Sequence, residues 1–153
     1  MKVIGVIATI LVSMGMALIL ACSEEKTASI EGHEDIVAVL QKIPQCFENP
    51  STAHEIYAED AIIKFKSRSS VGIRKYTGLK EIENMFKETG KSWRVIDLSI
   101  DSIEKEADIA HVKYRYKSQS LIADVEVWKR SCSAEMVKKG EMWKIKEVKS
   151  KPK

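Results

Sequence analysis

Several signatures of cofactor and metal chemistry are missing from this chain. It has no CxxC pair, no His/Cys grouping at zinc-ligand spacing, no glycine-rich phosphate loop and no Ser-His-Asp ordering. Neither a metal site nor a cofactor is therefore expected. A strong charge excess is also lacking: 25 basic against 22 acidic residues leave a formal charge of +3, too small for dedicated nucleic-acid binding. There is no internal repeat and no low-complexity segment, and cysteine is scarce, at three residues.

What is present begins at the N-terminus. Lys2 precedes an apolar run from Val3 to Leu20, broken only by Gly5, Thr9, Ser13 and Gly15, and Ile19-Leu20-Ala21-Cys22 closes it. A charged start, an apolar stretch and a small residue at the end describe an export signal. Ser23-Glu24-Glu25 follows in place of a basic stop-transfer flank. The segment resembles bacterial lipoprotein signals, in which the cysteine is acylated and becomes the first residue after cleavage. Leu20 departs mildly from the usual pattern. The resemblance implies lipidation at Cys22 and anchoring to a membrane of the bacterial envelope, inner or outer left open. The alternative is an uncleaved span, since the run is long enough to cross a bilayer.

The expected division is residues 1–21 as a removed signal, 22–32 as a lipidated tether and 33–150 as one domain. Taking 21 residues from 153 leaves 132, enough for a single core and too few for two. Losing Lys2 brings the formal charge to +2. The lysines that gather late, from Lys138 to Lys153, suit a solvated strand face and a frayed tail, or attraction to anionic lipid headgroups. With Cys22 committed to the anchor, Cys46 and Cys132 remain. They are either a disulfide, which an exported compartment permits, or two buried apolar residues.

Along the domain, Ile36, Val39, Leu40, Ile43 and Phe47 recur at helical spacing, with a kink or end expected near Ile43 because of Pro44. Thr52 and Glu55 form a capping-box candidate for a second short helix through Tyr57. Strands are expected at 61–66 and 73–76. A third helix opens after Thr77-Gly78 and stops at Gly90, with Leu79, Ile82, Met85 and Phe86 on its apolar face. From Trp93 onward the pattern is antiparallel sheet. Ile96, Leu98 and Ile100 alternate with polar residues; Ala110, Val112, Tyr114 and Tyr116 do so most clearly. Turns are expected at 104–106, 118–120 and Lys139-Gly140, and a bulge near Ser131-Cys132-Ser133.

Four segments, Tyr57-Ala58-Glu59-Asp60-Ala61, Tyr76-Thr77-Gly78-Leu79-Lys80-Glu81-Ile82, Ala107-Asp108-Ile109-Ala110-His111-Val112 and Lys139-Gly140-Glu141-Met142-Trp143-Lys144-Ile145, resemble in order and spacing the nuclear transport factor 2-like superfamily, in its SnoaL-like branch. The resemblance covers about residues 34–149. It implies an α+β, cone-shaped fold in which three helices pack on a strongly curved antiparallel sheet, with a pocket at one end.

Enzymes and binders share that fold, so the residues must decide. The superfamily's isomerases use a carboxylate base a few residues after the Asp-Ala pair and a tyrosine on the first helix. Here the base position falls at or beside Phe65, between Lys64 and Lys66, and the first helix has no tyrosine. Its dehydratases use histidine with aspartate. His33, His54 and His111 are all expected at the surface, His111 being out of phase with Ala110 and Val112. The pocket candidates are Tyr57, Asp60, Phe65, Met85, Tyr114, Tyr116 and Trp143, with core filling as the other reading for Trp143. No catalytic set is assigned. The favoured reading is a membrane-tethered domain that binds a small apolar molecule or an envelope protein. Acid–base catalysis by Asp60, Tyr114 or His111, and a structural homodimer built on the convex sheet, are the alternatives.

Overall fold

The computed structural model describes residues 30–68, 71–123 and 126–153. The expected signal, Cys22 and most of the tether lie outside the described residues. The domain opens with α1 (Glu34–Leu40), α2 (Ile43–Glu48), a 3-10 turn (Pro50–Thr52) and α3 (Ala53–Ile56). Strands β1 (Tyr57–Lys66) and β2 (Ile73–Thr77) follow, then α4 (Leu79–Gly90). Four strands complete it: β3 (Trp93–Glu106), β4 (Ile109–Ser120), β5 (Val127–Lys139) and β6 (Met142–Pro152).

Pro44 turns the expected first helix into two. It sits in the first turn of α2, where its missing N–H deprives no carbonyl of a partner. The Thr52 capping box does not form: Thr52 is in the 3-10 turn without a side-chain cap, and Glu55 pairs with Lys42 Nζ at 2.8 Å. Gly78 starts α4 with φ 80°, a value that disfavours any residue with a Cβ, and donates its N–H to Ala61 O at 2.8 Å.

The six strands form one sheet in the order β2-β1-β6-β5-β4-β3. It is mixed, because β1 runs parallel to β6, which corrects the all-antiparallel expectation. Period-2 patterning shows which face a strand buries, and says nothing of the direction of a partner almost ninety residues away. The register slips at Val95/Asp97 and Ile100/Ser102 in β3, Glu135/Met136 between β5 and β6, and Tyr57/Ile62 in β1. Bulges of this kind bend the strand and increase its twist, so they curve the sheet around the helices. They also shift the pleat. Ile96, expected inside, is half exposed, and Ile103 takes the inward phase farther along β3.

Three turn expectations move. Residues 104–106 and 118–120 are in strand, and the reversals fall at Ala107-Asp108 (φ 51° at Ala107) and after Ser120. Residues 131–133 pair in regular register, and the slip between β5 and β6 falls at Glu135/Met136, with the extra residue, Lys146, on β6. The C-terminal end is also tied down and not frayed: Pro152 pairs with Arg130, and Lys153 donates its N–H to Lys129 O at 3.0 Å.

The core lies between the helices and the concave face. At one end Trp143, 1 % exposed, packs with Ile36, Leu40, Met136 and Ile145 beneath α1. Its indole N–H donates to Asp35 at 2.7 Å, and Lys105 Nζ stands 5.5 Å from the ring centroid. At the other end Phe47 of α2 meets Phe86 of α4 edge-on at 5.0 Å. The backbones of α2 and α4 cross there at Gly90, where a Cβ would fall 2.1 Å from Phe47 O. Gly90 was expected as a helix stop; the structure makes it the point where a side chain would separate two helices. Arg94 Nη1 donates to Gly90 O at 2.6 Å and to Phe47 O at 3.4 Å, capping both helix ends.

Candidate functional site

A cavity of about 90 Å³ lies between α2, α4 and the concave faces of β1, β4, β5 and β6. Ile43 and Phe47 supply its wall from α2, Met85 and Phe86 from α4, and Tyr57, Ile63 and Phe65 from β1. One buried water needs roughly 10–15 Å³ by this measure, and an engineered cavity of about 150 Å³ holds benzene. The interior is therefore not packed solid, and its space suits a molecule of a few heavy atoms. A second, wider space lined by Arg74, Glu81 and Glu88 shares Phe65, Met85, Trp93 and Trp128 with this cavity. The Trp93 and Trp128 rings, 4.7 Å apart, stand where the two spaces meet.

Tyr57, Phe65, Met85, Tyr114 and Tyr116 all line this cavity. Asp60 and Trp143 do not. The Asp60 side chain is 65 % exposed on the outer surface and pairs with Lys146, which holds its carboxyl below the usual carboxylate range. Both residues sit where register slips occur, in β1 and β6, and the slip turns Asp60 outward. Trp143 pairs with Lys138, ten residues along β5 from Trp128. It closes the opposite end of the cone.

The cysteines are two free, buried thiols and not a disulfide. Burial pushes the Cys46 thiol up to about 12, with the Glu55 charge adding to the effect. Cys132 donates to Ser150 Oγ at 3.3 Å on the cavity side of β5 and β6, and burial raises it as well. Burial also raises the Tyr57 and Tyr114 phenols well above their ordinary range and outweighs the Ser150 hydrogen bond at Tyr116, so all three are neutral hydroxyls. His111 is exposed on the convex face, and His54 is exposed beside Glu83 at 3.1 Å. Arg115 and Lys117 face outward too and pair across strands with Asp101 and Asp97. Among the described residues, neither a carboxylate nor a histidine lines the cavity, and no group of three His, Cys, Asp or Glu is placed to hold a metal ion.

The residue that sequence reasoning passed over is Arg130. It is 2 % exposed and lines the cavity. Its Nε donates to Ser150 Oγ at 2.8 Å and its Nη2 to Lys66 O at 2.6 Å, while the guanidinium lies 3.7 Å from the Phe65 ring centroid. The signal was available: Arg130 is in phase with Cys132, Ala134 and Met136, the inward set of β5. Trp93 and Trp128, at the mouth, were likewise not singled out.

No family model matches the chain, and no curated protein does. Solved structures do. A ketosteroid isomerase-like protein from Erwinia carotovora atroseptica superposes with TM-score 0.62 at 13% identity, covering 78% of this chain and 92% of that one. An NTF-2 like protein from Silicibacter pomeroyi gives 0.61 at 9% identity, covering 79% and 95%. A domain with a cystatin-like fold from Nostoc punctiforme gives 0.65 at 15% identity, covering 79% and 76%. At these identities the likeness establishes the fold, which is nuclear transport factor 2-like, and leaves the chemistry to the site.

Proposed function

We propose that this chain is a lipid-anchored envelope protein whose cone-shaped domain binds a small apolar molecule without transforming it. The observation that carries the reading is the cavity itself. It is walled by Phe47, Tyr57, Phe65, Met85 and Phe86, opens at one end and, among the described residues, presents no acid–base pair to a ligand. General acid–base catalysis needs a group whose proton affinity lies near the working pH. The phenols facing this space are raised by burial away from that range. A pocket of mostly apolar wall with a few polar groups is the usual form of a small-molecule site.

The anchor is supported by the sequence around Cys22. Among the described residues no helix is long and apolar enough to cross a membrane. A tether from Ser23 to Glu31 would keep the cavity within a few nanometres of the bilayer, where apolar molecules concentrate. Native mass spectrometry of the protein purified from its bacterial host tests both parts. The expected spectrum shows an acylated mass beginning at Cys22 and a shift on adding 1-hexanol. An unacylated polypeptide would remove the anchor, and the absence of any apolar adduct would remove the ligand. Cys22→Ser should release a folded domain from membranes; continued membrane association would make the apolar run the anchor.

A further inference from the structure

Among the described residues, Arg130 is the only charged side chain on the cavity wall, and it is buried without a counter-charge. A guanidinium has five N–H donors in a fixed fork. Nε and Nη2 are satisfied by Ser150 Oγ and the Lys66 carbonyl, both neutral acceptors, and among the described residues Nη1 has no hydrogen-bond partner. Among the described residues, no carboxylate forms an ion pair with it. The Arg68 charge, which also acts on it, has the same sign. Arginine is almost never fully buried unless paired, because removing a charge from water costs far more than neutral hydrogen bonds return. Stacking on Phe65 offsets part of that cost and leaves Nη1 unmatched. The polar atoms nearby are hydroxyls: Ser150 accepts from Arg130, Tyr116 lies against Ser150, and Ser118 lines the same wall. Hydroxyls can donate to an anion as the guanidinium does.

Resting on the apolar-pocket reading, we infer that the ligand is a small amphipathic monocarboxylate. Its apolar body lies among Phe47, Met85 and Phe86, and its carboxylate is held by the Arg130 guanidinium. The space sets the size: about 90 Å³ admits a short chain of a few heavy atoms, with any longer tail directed toward Trp93 and Trp128. A carboxylate supplies what the site lacks, a charge-assisted acceptor for the free face of the fork. The site binds the anion and performs no bond-making step on it.

The test is isothermal titration of the folded domain at neutral pH with three six-carbon probes: hexanoate, 1-hexanol and hexyl phosphate. Hexanoate should bind about ten- to a hundredfold more tightly than 1-hexanol, the range expected for one hydrogen bond to a charged group. Its affinity should fall as the pH is lowered through its own carboxyl pKa, while that of 1-hexanol stays level. Arg130→Met should remove the preference and keep 1-hexanol binding; Arg130→Lys, which retains the charge, should restore part of it. The pH comparison uses the unaltered protein, so it decides the matter even if Arg130→Met fails to fold. Equal binding of hexanoate and 1-hexanol would overturn the carboxylate inference and leave the apolar pocket standing. Tighter binding of hexyl phosphate than of hexanoate would overturn the carboxylate in favour of a phosphate ligand. Binding of none of the three would overturn the pocket reading and this inference with it.

Discussion

Gly90→Ala sets two opposing effects against each other, and the structure decides which wins. Alanine is the better helix former, and Gly90 ends α4 without a positive φ, so propensity alone favours the variant by about 0.5–1 kcal/mol. Against this, the new Cβ would stand 2.1 Å from Phe47 O and 3.0 Å from Phe47 C. Ordinary C···O contacts begin near 3.3 Å. The helices must therefore part by about 1 Å, and because the obstacle is backbone, no side-chain rotation relieves it. That movement opens the Phe47–Phe86 edge contact and stretches the Arg94 hydrogen bonds that cap α2 and α4. Overpacking of this kind costs about 1–3 kcal/mol, and weakening the half-exposed Arg94 cap adds to it. The net expectation is a loss of about 2 kcal/mol. Urea unfolding of the domain should show the midpoint lowered with the slope unchanged. Lys87→Ala, on the exposed side of the same helix, should stay within about 0.5 kcal/mol. Gly90→Ala as stable as the original protein, or more so, would mean that propensity outweighs the crossing and that the close approach of α2 and α4 is not a constraint.

Three further outcomes follow from the same geometry. Trp143→Phe removes the indole donor to Asp35 and leaves space beneath α1, for a loss of about 2–3 kcal/mol; a double-mutant cycle with Asp35→Ala should return a coupling of at least about 0.5 kcal/mol, and strict additivity would deny the hydrogen bond. At Asp35, burial alone would raise the carboxyl, but the Trp143 and Ile36 N–H groups and the Lys105 charge outweigh it and hold it below 3.8. A depressed folded pKa gives stability that is present above the unfolded value and lost as pH falls through the folded one, so Asp35→Ala should flatten the acid limb of stability against pH and leave its slope near neutrality unchanged. Cys46, at about 12 against an ordinary 9.0, has roughly a thousandfold less thiolate at pH 8, so iodoacetamide should label Cys46 and Cys132 only after unfolding. Dithiothreitol should leave the melting temperature unchanged, whereas a fall worth the 2–4 kcal/mol typical of a disulfide would show that the two are bonded.

Local chemistry carries far in this chain. Pro44 ends a helix because its ring removes a donor and fixes φ. Gly78 and Gly140 turn the backbone with φ 80° and 62°, and the alternation from Ala110 to Tyr114 commits one face of β4 to the core. These effects act within a few residues, so the order of helices and strands, and with it the fold, can be read from the sequence. The site depends on separations the sequence does not encode locally. Bulges shift the pleat, so Asp60 faces Lys146 and Ile96 faces solvent although their neighbours predict otherwise. Cys46 and Cys132 are candidates for a bond by elimination in the sequence; the packing keeps them as separate thiols. The parallel pairing of β1 with β6 brings Lys66 to Arg130, sixty-four residues away, and makes a surface-type residue part of a cavity wall. Periodicity assigns Arg130 to a face. Only the closing of the sheet around α2 and α4 takes that face out of water and leaves its charge without a partner among the described residues, because desolvation is a property of everything packed around a group and not of the group itself.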